Sequence, residues 1–392
     1  MATDRETIRI DGLYFWRGED RAPTNNGIPQ FFVRGVVYQI PEEGIDVLSD
    51  DHLPQLRRDV QLLQELGINT IYVYSLNNTK SHDAAMRLLD DAGIYVLATL
   101  STKHHIIRRV NSSGSYTQAT ISSLFQTIDA MSRYPNVLGL FVANGTIYSP
   151  AHEPALPYLQ AAVRDVKRYM RLRHRRTGQR ILPIGYAAAE TDTASLAALS
   201  SRDDATAIDF WATTSYGKDL TDERTQGELL DFVAKGRGIP ILLSEYSFSP
   251  PRATIDQPRG FDGVAALFAP PLSRRLSGGC VYQFWNLANG YGLVELVPVG
   301  GKAESRAYQA ALERARDGRK VVERRQVEGI GSLSIFGDFR AYQAQLEATR
   351  DVHVRSSNEG SQGALLARLK SEHDQDSRLP VPESCVDWTD SE

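Results

Sequence analysis

"LGINTIYVYSLNNTKSHDAAMRLLDDAGIYVLATLS" (residues 66–101) holds two short β-branched and aromatic runs around one amphipathic stretch. The runs are "NTIYVYS" (69–75) and "IYVLATL" (94–100), and Gly93 closes the helix between them. Strand, helix and strand in that order form the βα unit of a parallel sheet. The pattern continues on both sides. Upstream lie "FFVRGVVY" (31–38) and "LPQLRRDVQLLQELG" (53–67), where Leu53, Leu56, Val60, Leu63 and Leu66 recur at helical spacing and Gly67 supplies the stop. Downstream come "VLGLFVANG" (137–145), "ILPIGYAAA" (181–189), "DFWATTSY" (209–216), "PILLSEYS" (240–247) and "GCVYQFWN" (279–286). Eight such units predict an α/β fold, a (β/α)8 TIM barrel with a C-terminal helical or irregular extension.

The length of 392 residues suits one barrel, which takes about 250 residues, plus extensions. The expected division is a barrel over 1–300, C-terminal helices packed on it over 301–350, and a polar, partly ordered tail over 351–392. The middle segment opens with a long charged helix, "KAESRAYQAALERARDGRKVVERR" (302–325). With 44 basic against 48 acidic residues the net charge is −4, so no electrostatic case exists for nucleic acid. The opening "MATDRETIRIDG" lacks the apolar core of a signal peptide, and no run approaches the roughly 18 apolar residues of a membrane span. A cytoplasmic protein with no membrane partner is the expectation. Cys280 in a strand and Cys385 in the tail suit a reducing compartment. His104 and His105 are adjacent on a loop, without zinc-site spacing or a third ligand, so neither metal nor cofactor is expected. Oligomeric state is not encoded legibly.

In a (β/α)8 barrel the working residues stand at the C-terminal ends of the strands. Period-two reading of those ends nominates Tyr38, Gln39, Tyr72, Tyr74, Asn144, Gly145, Tyr216, Tyr282, Phe284 and Asn286, with Trp285 on the opposite face of the last strand. Glu245, following "ILLS", is the sharpest candidate, because a carboxylate there is poorly solvated and needs a reason. A buried ion pair with an arginine is the bland alternative. A tyrosine at a strand end is more often a hydrogen-bonded core residue than a ligand contact.

Along these stretches, together with "YPNVLGLFVAN", "PIGYAA" and "SGGCVYQFWNLANGYGLVEL", the chain resembles the fungal β-1,3-glucanosyltransferases, glycoside hydrolase family 72. The resemblance implies a (β/α)8 barrel and retaining transglycosylation by two glutamates. The nucleophile falls on Glu245, but the acid/base position, directly after an asparagine, falls on Gly145. Gln39, Tyr74, Asn144 and Tyr216 match positions that line the donor site. The family's arginine before "VY" is Tyr72 here, its "DP" is Asn77 and Asn78, and an acidic residue of its eighth-strand motif is Leu287. Its signal peptide, disulfide cysteines, lipid-anchor tail and cysteine-rich module have no counterpart in the sequence.

A retaining glycosidase needs one carboxyl to attack and another to protonate the departing oxygen; without the second the rate falls by about 10²–10⁴-fold. Glu153 and His152, eight and seven residues downstream, are the nearest substitutes in sequence. The leading expectation is a barrel repurposed for proton transfer, isomerisation or cyclisation on a small, relatively apolar molecule such as a natural-product intermediate. The alternatives are a residual β-1,3-glucanosyltransferase using Glu245 as nucleophile, and a non-catalytic glucan-binding protein. The ligand is accordingly a small molecule or an oligosaccharide.

Overall fold

A computed structural model describes residues 7–18, 30–40, 44–189, 193–200, 203–236, 238–248, 259–298, 313, 319–350 and 380–388. Fourteen strands are described: β1 (Ile8–Asp11), β2 (Tyr14–Arg17), β3 (Gln30–Phe31), β4 (Val33–Val37), β5 (Thr70–Val73), β6 (Tyr95–Thr99), β7 (Val137–Asn144), β8 (Ile184–Ala188), β9 (Phe210–Tyr216), β10 (Ile241–Phe248), β11 (Leu276–Val281), β12 (Val294–Pro298), β13 (Val321–Val327) and β14 (Gly331–Phe336). The helices are α1 (Leu53–Leu66), α2 (Asp83–Asp91), α3 (Ser112–Ser115), α4 (Gln118–Met131), α5 (Leu156–Thr177), α6 (Thr193–Leu199), α7 (Glu223–Val233), α8 (Asp262–Leu267) and α9 (Gly337–Ala348). Strands β4 to β11 close in chain order into a parallel eight-stranded barrel, β11 pairing with β4. The predicted fold class is the observed one.

Alternation along the strands creates two apolar layers. One fills the lumen, with Val33, Val37, Tyr72, Leu97, Phe141 and Phe210 among its members. The other lies between strands and helices, where α1 contributes Leu56, Val60, Leu63 and Leu66. The hairpin sheet β1–β2–β3 plugs the N-terminal end of the barrel. Phe15 meets Phe210 and Phe31 meets Tyr95, each edge-on and near the start of its partner's strand. The lumen is therefore packed, and only its opposite, C-terminal end is left for a site.

Two expectations need correction. The eighth barrel strand runs over Leu276–Val281, so the aromatic run that follows lies beyond it. The charged helix expected over 302–325 is a strand at its end: β13 pairs antiparallel with β14, which pairs with β12. Residues 302–312 and 314–318 lie outside the described residues. The segment packed on the barrel after residue 318 is thus a sheet plus α9, not helices alone. Arg325 and Arg340 both pair with Glu65 of α1 and with Glu323, fastening this sheet to the barrel's outer layer. Of the tail, 351–379 lies outside the described residues. Residues 380–388 lie against α4 and α5, Trp388 meeting Phe125 and the Arg168 guanidinium. Among the described residues, no helix is long and apolar enough to cross a membrane.

Candidate active site

Glu245 stands near the end of β10, opposite Thr214 of β9, and is only 7% exposed. Two tyrosines hold its carboxylate. Tyr74, just past β5, donates to Oε1, and Tyr216, the last residue of β9, donates to Oε2 at 2.5 Å. Burial pushes the Glu245 carboxyl above its ordinary pKa, and the hydrogen bonds from Tyr216 and Tyr74 oppose that rise. Burial and the nearby Glu245 charge in turn push both tyrosines well above the usual phenol value, so they stay donors. The result is a carboxylate with both oxygens held and no arginine among its hydrogen-bond or ion-pair partners in the described residues. The ion-pair alternative for Glu245 therefore fails there.

Tyr72 lies beneath this group with its ring edge-on to Tyr74 at 4.9 Å. Its hydroxyl is buried, and burial together with the nearby Glu245 charge pushes it well above the usual phenol value. On the other side, Tyr282 accepts from Asn289 at 3.0 Å and from Gln39 at 3.4 Å, and Gln39 also reaches Gln283. The structure thus gathers Gln39, Tyr72, Tyr74, Asn144, Tyr216, Tyr282 and Glu245 into one mouth. Gly145 continues from Asn144 with φ 59°, and a Cβ built on it would meet nothing within 4 Å.

Four nominated residues turn elsewhere. Tyr38 donates to Asp59 of α1 at 2.7 Å, and the Trp285 indole donates to the same oxygen at 3.1 Å. Phe284 packs between them, 5.6 Å from the Tyr38 ring and 5.3 Å from that of Trp285. These three serve the layer outside the barrel. Asn286 accepts from Arg319 at 2.9 Å, toward the C-terminal sheet. For Phe284, Trp285 and Asn286 the physical reason is the early end of β11: past Val281 the chain bonds to Val37, Tyr291 and Val294, so period-two alternation no longer applies. Tyr38 follows Val37, which faces the lumen, and so turns outward. Glu153 is exposed, and His152 is engaged with Ser149 and the Tyr148 ring.

Several neighbours carried no sequence signal. Gln283 and Asn289 complete the Gln39 and Tyr282 contacts. Arg109, from the loop after β6, donates to the Gly145 carbonyl at 3.2 Å and lies 4.6 Å from the Tyr148 ring centre. Two depressions lie beside Glu245's tyrosines. One, about 250 Å³, is bordered by Gln39, Gly44, Val47, Tyr74 and Ser75, and by Tyr38 with its hydroxyl turned outward. The other, about 220 Å³, lies among Gly217, Lys218, Asp219, Tyr246, Ser247 and Phe261. Both open to solvent.

This barrel mouth belongs to a chain whose residues 1–316 match the family model described as glucanosyltransferase, glycoside hydrolase family 72. The chain belongs to that family. Among its glucanosyltransferase relatives, 1,3-beta-glucanosyltransferase PGA4 of Candida albicans is 34% identical over 74% of this chain and 62% of its own length. The 1,3-beta-glucanosyltransferase gel1 of Aspergillus fumigatus is 33% identical over 75% of this chain, again covering 62% of the relative. The chain thus spans about three fifths of the curated relatives it matches. Among solved family structures, a glutamate-to-glutamine mutant of Saccharomyces cerevisiae Gas2p in complex with laminaritetraose and laminaripentaose superposes with a TM-score of 0.68. It is 26% identical, and the match covers 90% of this chain and 69% of that one. A second Gas2 structure, in complex with a compound, gives 0.69 at 26% identity over 91% and 72%.

Proposed function

We propose that this barrel binds β-1,3-glucan chains and transfers glycosyl groups with retention, Glu245 acting as the nucleophile. One observation carries the proposal: a single buried carboxylate at a strand end, with both oxygens held by tyrosines in an open mouth. Such a carboxylate is aimed and partly stripped of water, which favours attack on an anomeric carbon. The relatives named as 1,3-beta-glucanosyltransferases and the laminari-oligosaccharide complex of Gas2p support glucan as the ligand class. The two depressions beside the Glu245 tyrosines open to solvent, as an extended saccharide requires.

Gly145 brings no acid to the leaving-group side, so attack by Glu245 proceeds at a useful rate only when the departing group needs no proton. The test uses β-laminaribiosyl fluoride with azide present. Formation of laminaribiosyl azide that disappears in Glu245→Gln supports the proposal. Tight calorimetric binding of laminari-oligosaccharides without any fluoride turnover makes the protein a glucan binder instead. Absence of both removes glucan from the function.

A further inference from the structure

The geometry points to an anion-binding position beside Gly145 that takes the leaving group of an activated donor, a glycosyl phosphate being the class that fits. The inference deepens the nucleophilic role of Glu245 and rests on it. Arg109 is fixed there by two contacts, a hydrogen bond to the Gly145 carbonyl at 3.2 Å and the face of Tyr148 at 4.6 Å. Together these use one of the guanidinium's five donors. Among the described residues Arg109 has no carboxylate partner. Tyr148, at 56% exposed, leaves the cation open to solvent, and the space ahead of the Gly145 Cα is empty within 4 Å. Asn144, the neighbour of Gly145, ends β7 in the same closed parallel barrel whose strand β10 carries Glu245 near its end, which sets the cation at the same C-terminal mouth as the nucleophile.

A planar guanidinium with free donors matches phosphate oxygens in pairs. It also answers the chemical problem that Gly145 poses. As a Glu245 oxygen bonds to the anomeric carbon of a β-glycosyl phosphate, the bond from that carbon to the phosphate oxygen breaks. The donor reacts as its monoanion, so the electron pair leaves on the hydrogen phosphate dianion, which carries its own proton and takes none from the protein. In the second half an acceptor hydroxyl bonds to the anomeric carbon, Glu245 regains its electron pair, and the hydroxyl's proton passes to the phosphate dianion still paired with Arg109. Atoms and charges balance without a second carboxyl.

The experiment compares β-laminaribiosyl phosphate with β-laminaribiosyl fluoride on the full chain, in wild type, Arg109→Leu and Arg109→Lys. Turnover of the phosphate donor is expected. In Arg109→Leu its kcat/KM should fall at least tenfold further than that of the fluoride, and Arg109→Lys should recover part of the loss. Inorganic phosphate should inhibit the fluoride reaction competitively, with its inhibition constant raised at least tenfold in Arg109→Leu. If the fluoride turns over while the phosphate donor does not, or if Arg109→Leu slows both equally, the anion position is wrong and the role of Glu245 stands. If neither donor turns over, both fall together.

Discussion

Strands β7 and β10 end at the same mouth and are finished in opposite ways. The end of β10 is made of side chains: Glu245 is buried, and both its oxygens are held by phenols from β9 and from the turn after β5. The end of β7 is made of backbone: after Asn144 comes a glycine whose carbonyl meets a loop arginine, with open space where a side chain would start. The contrast teaches where chemistry is fixed. Two strand-end groups and one from a turn lock the first wall, so changes there are costly and specific, whereas the second wall leaves open space, and under the proposal it is where the donor class is decided.

Breaking the first wall should have the greatest consequence. Glu245→Gln should lower turnover of laminaribiosyl fluoride by at least about 10⁴-fold, because the amide cannot form the glycosyl ester. Rates measured on folded variant, with its melting temperature recorded, check this. Rebuilding the second wall comes next. Gly145→Glu should raise turnover of unactivated laminari-oligosaccharides by about 10²-fold, the low end of what a general acid contributes, since a non-glycine residue at φ 59° costs about 1–2 kcal/mol. No gain in a folded Gly145→Glu would mean the two walls are too far apart to cooperate.

A gentler change sharpens the first wall. The Tyr74 hydrogen bond lowers the Glu245 pKa against the effect of burial. Tyr74→Phe should therefore move the acidic limb of the kcat/KM profile upward. Near the acid limb turnover falls, while the alkaline plateau changes little. The smallest effect on turnover belongs outside the mouth, at Asp59, whose carboxyl burial pushes to about 6 even though Arg58, Tyr38 and Trp285 act to lower it. A carboxyl raised on folding favours the folded chain below its unfolded pKa near 4, and that contribution is lost as pH rises through about 6. It amounts to roughly 3 kcal/mol. The stability gap between wild type and Asp59→Asn should thus narrow between pH 4 and pH 7 in chemical denaturation.

The barrel was legible because buried parallel strands must be apolar on both faces, and runs such as "NTIYVYS" and "PILLSEYS" announce that directly. The eighth strand was not. β11 contains Gly278 and Gly279, poor strand formers, and Gly278 has φ 87° and lies so close to β4 that a Cβ would come within 2.1 Å of the Val33 carbonyl oxygen. The aromatic "YQFWN" beyond it looks more strand-like than the strand itself. Hence Phe284 was read into the mouth, whereas its ring packs between Tyr38 and Trp285, whose polar atoms converge on Asp59, a partner from α1 that no local pattern reveals. β13 was masked by its charges: Glu323 and Arg325 read as a helix surface, but they belong to a cluster with Glu65 and Arg340 that exists only once the sheet lies on α1. Arg109 was invisible for the same reason, since a loop arginine acquires meaning only from the carbonyl it meets.

Labelling with 2-deoxy-2-fluoro-β-laminaribiosyl fluoride, followed by peptide mass spectrometry, addresses the nucleophile without relying on rates. A stable glycosyl ester should appear on the peptide that carries Glu245 and on no other. An unlabelled chain, or a label on Glu153 or any other carboxylate, would contradict the assignment.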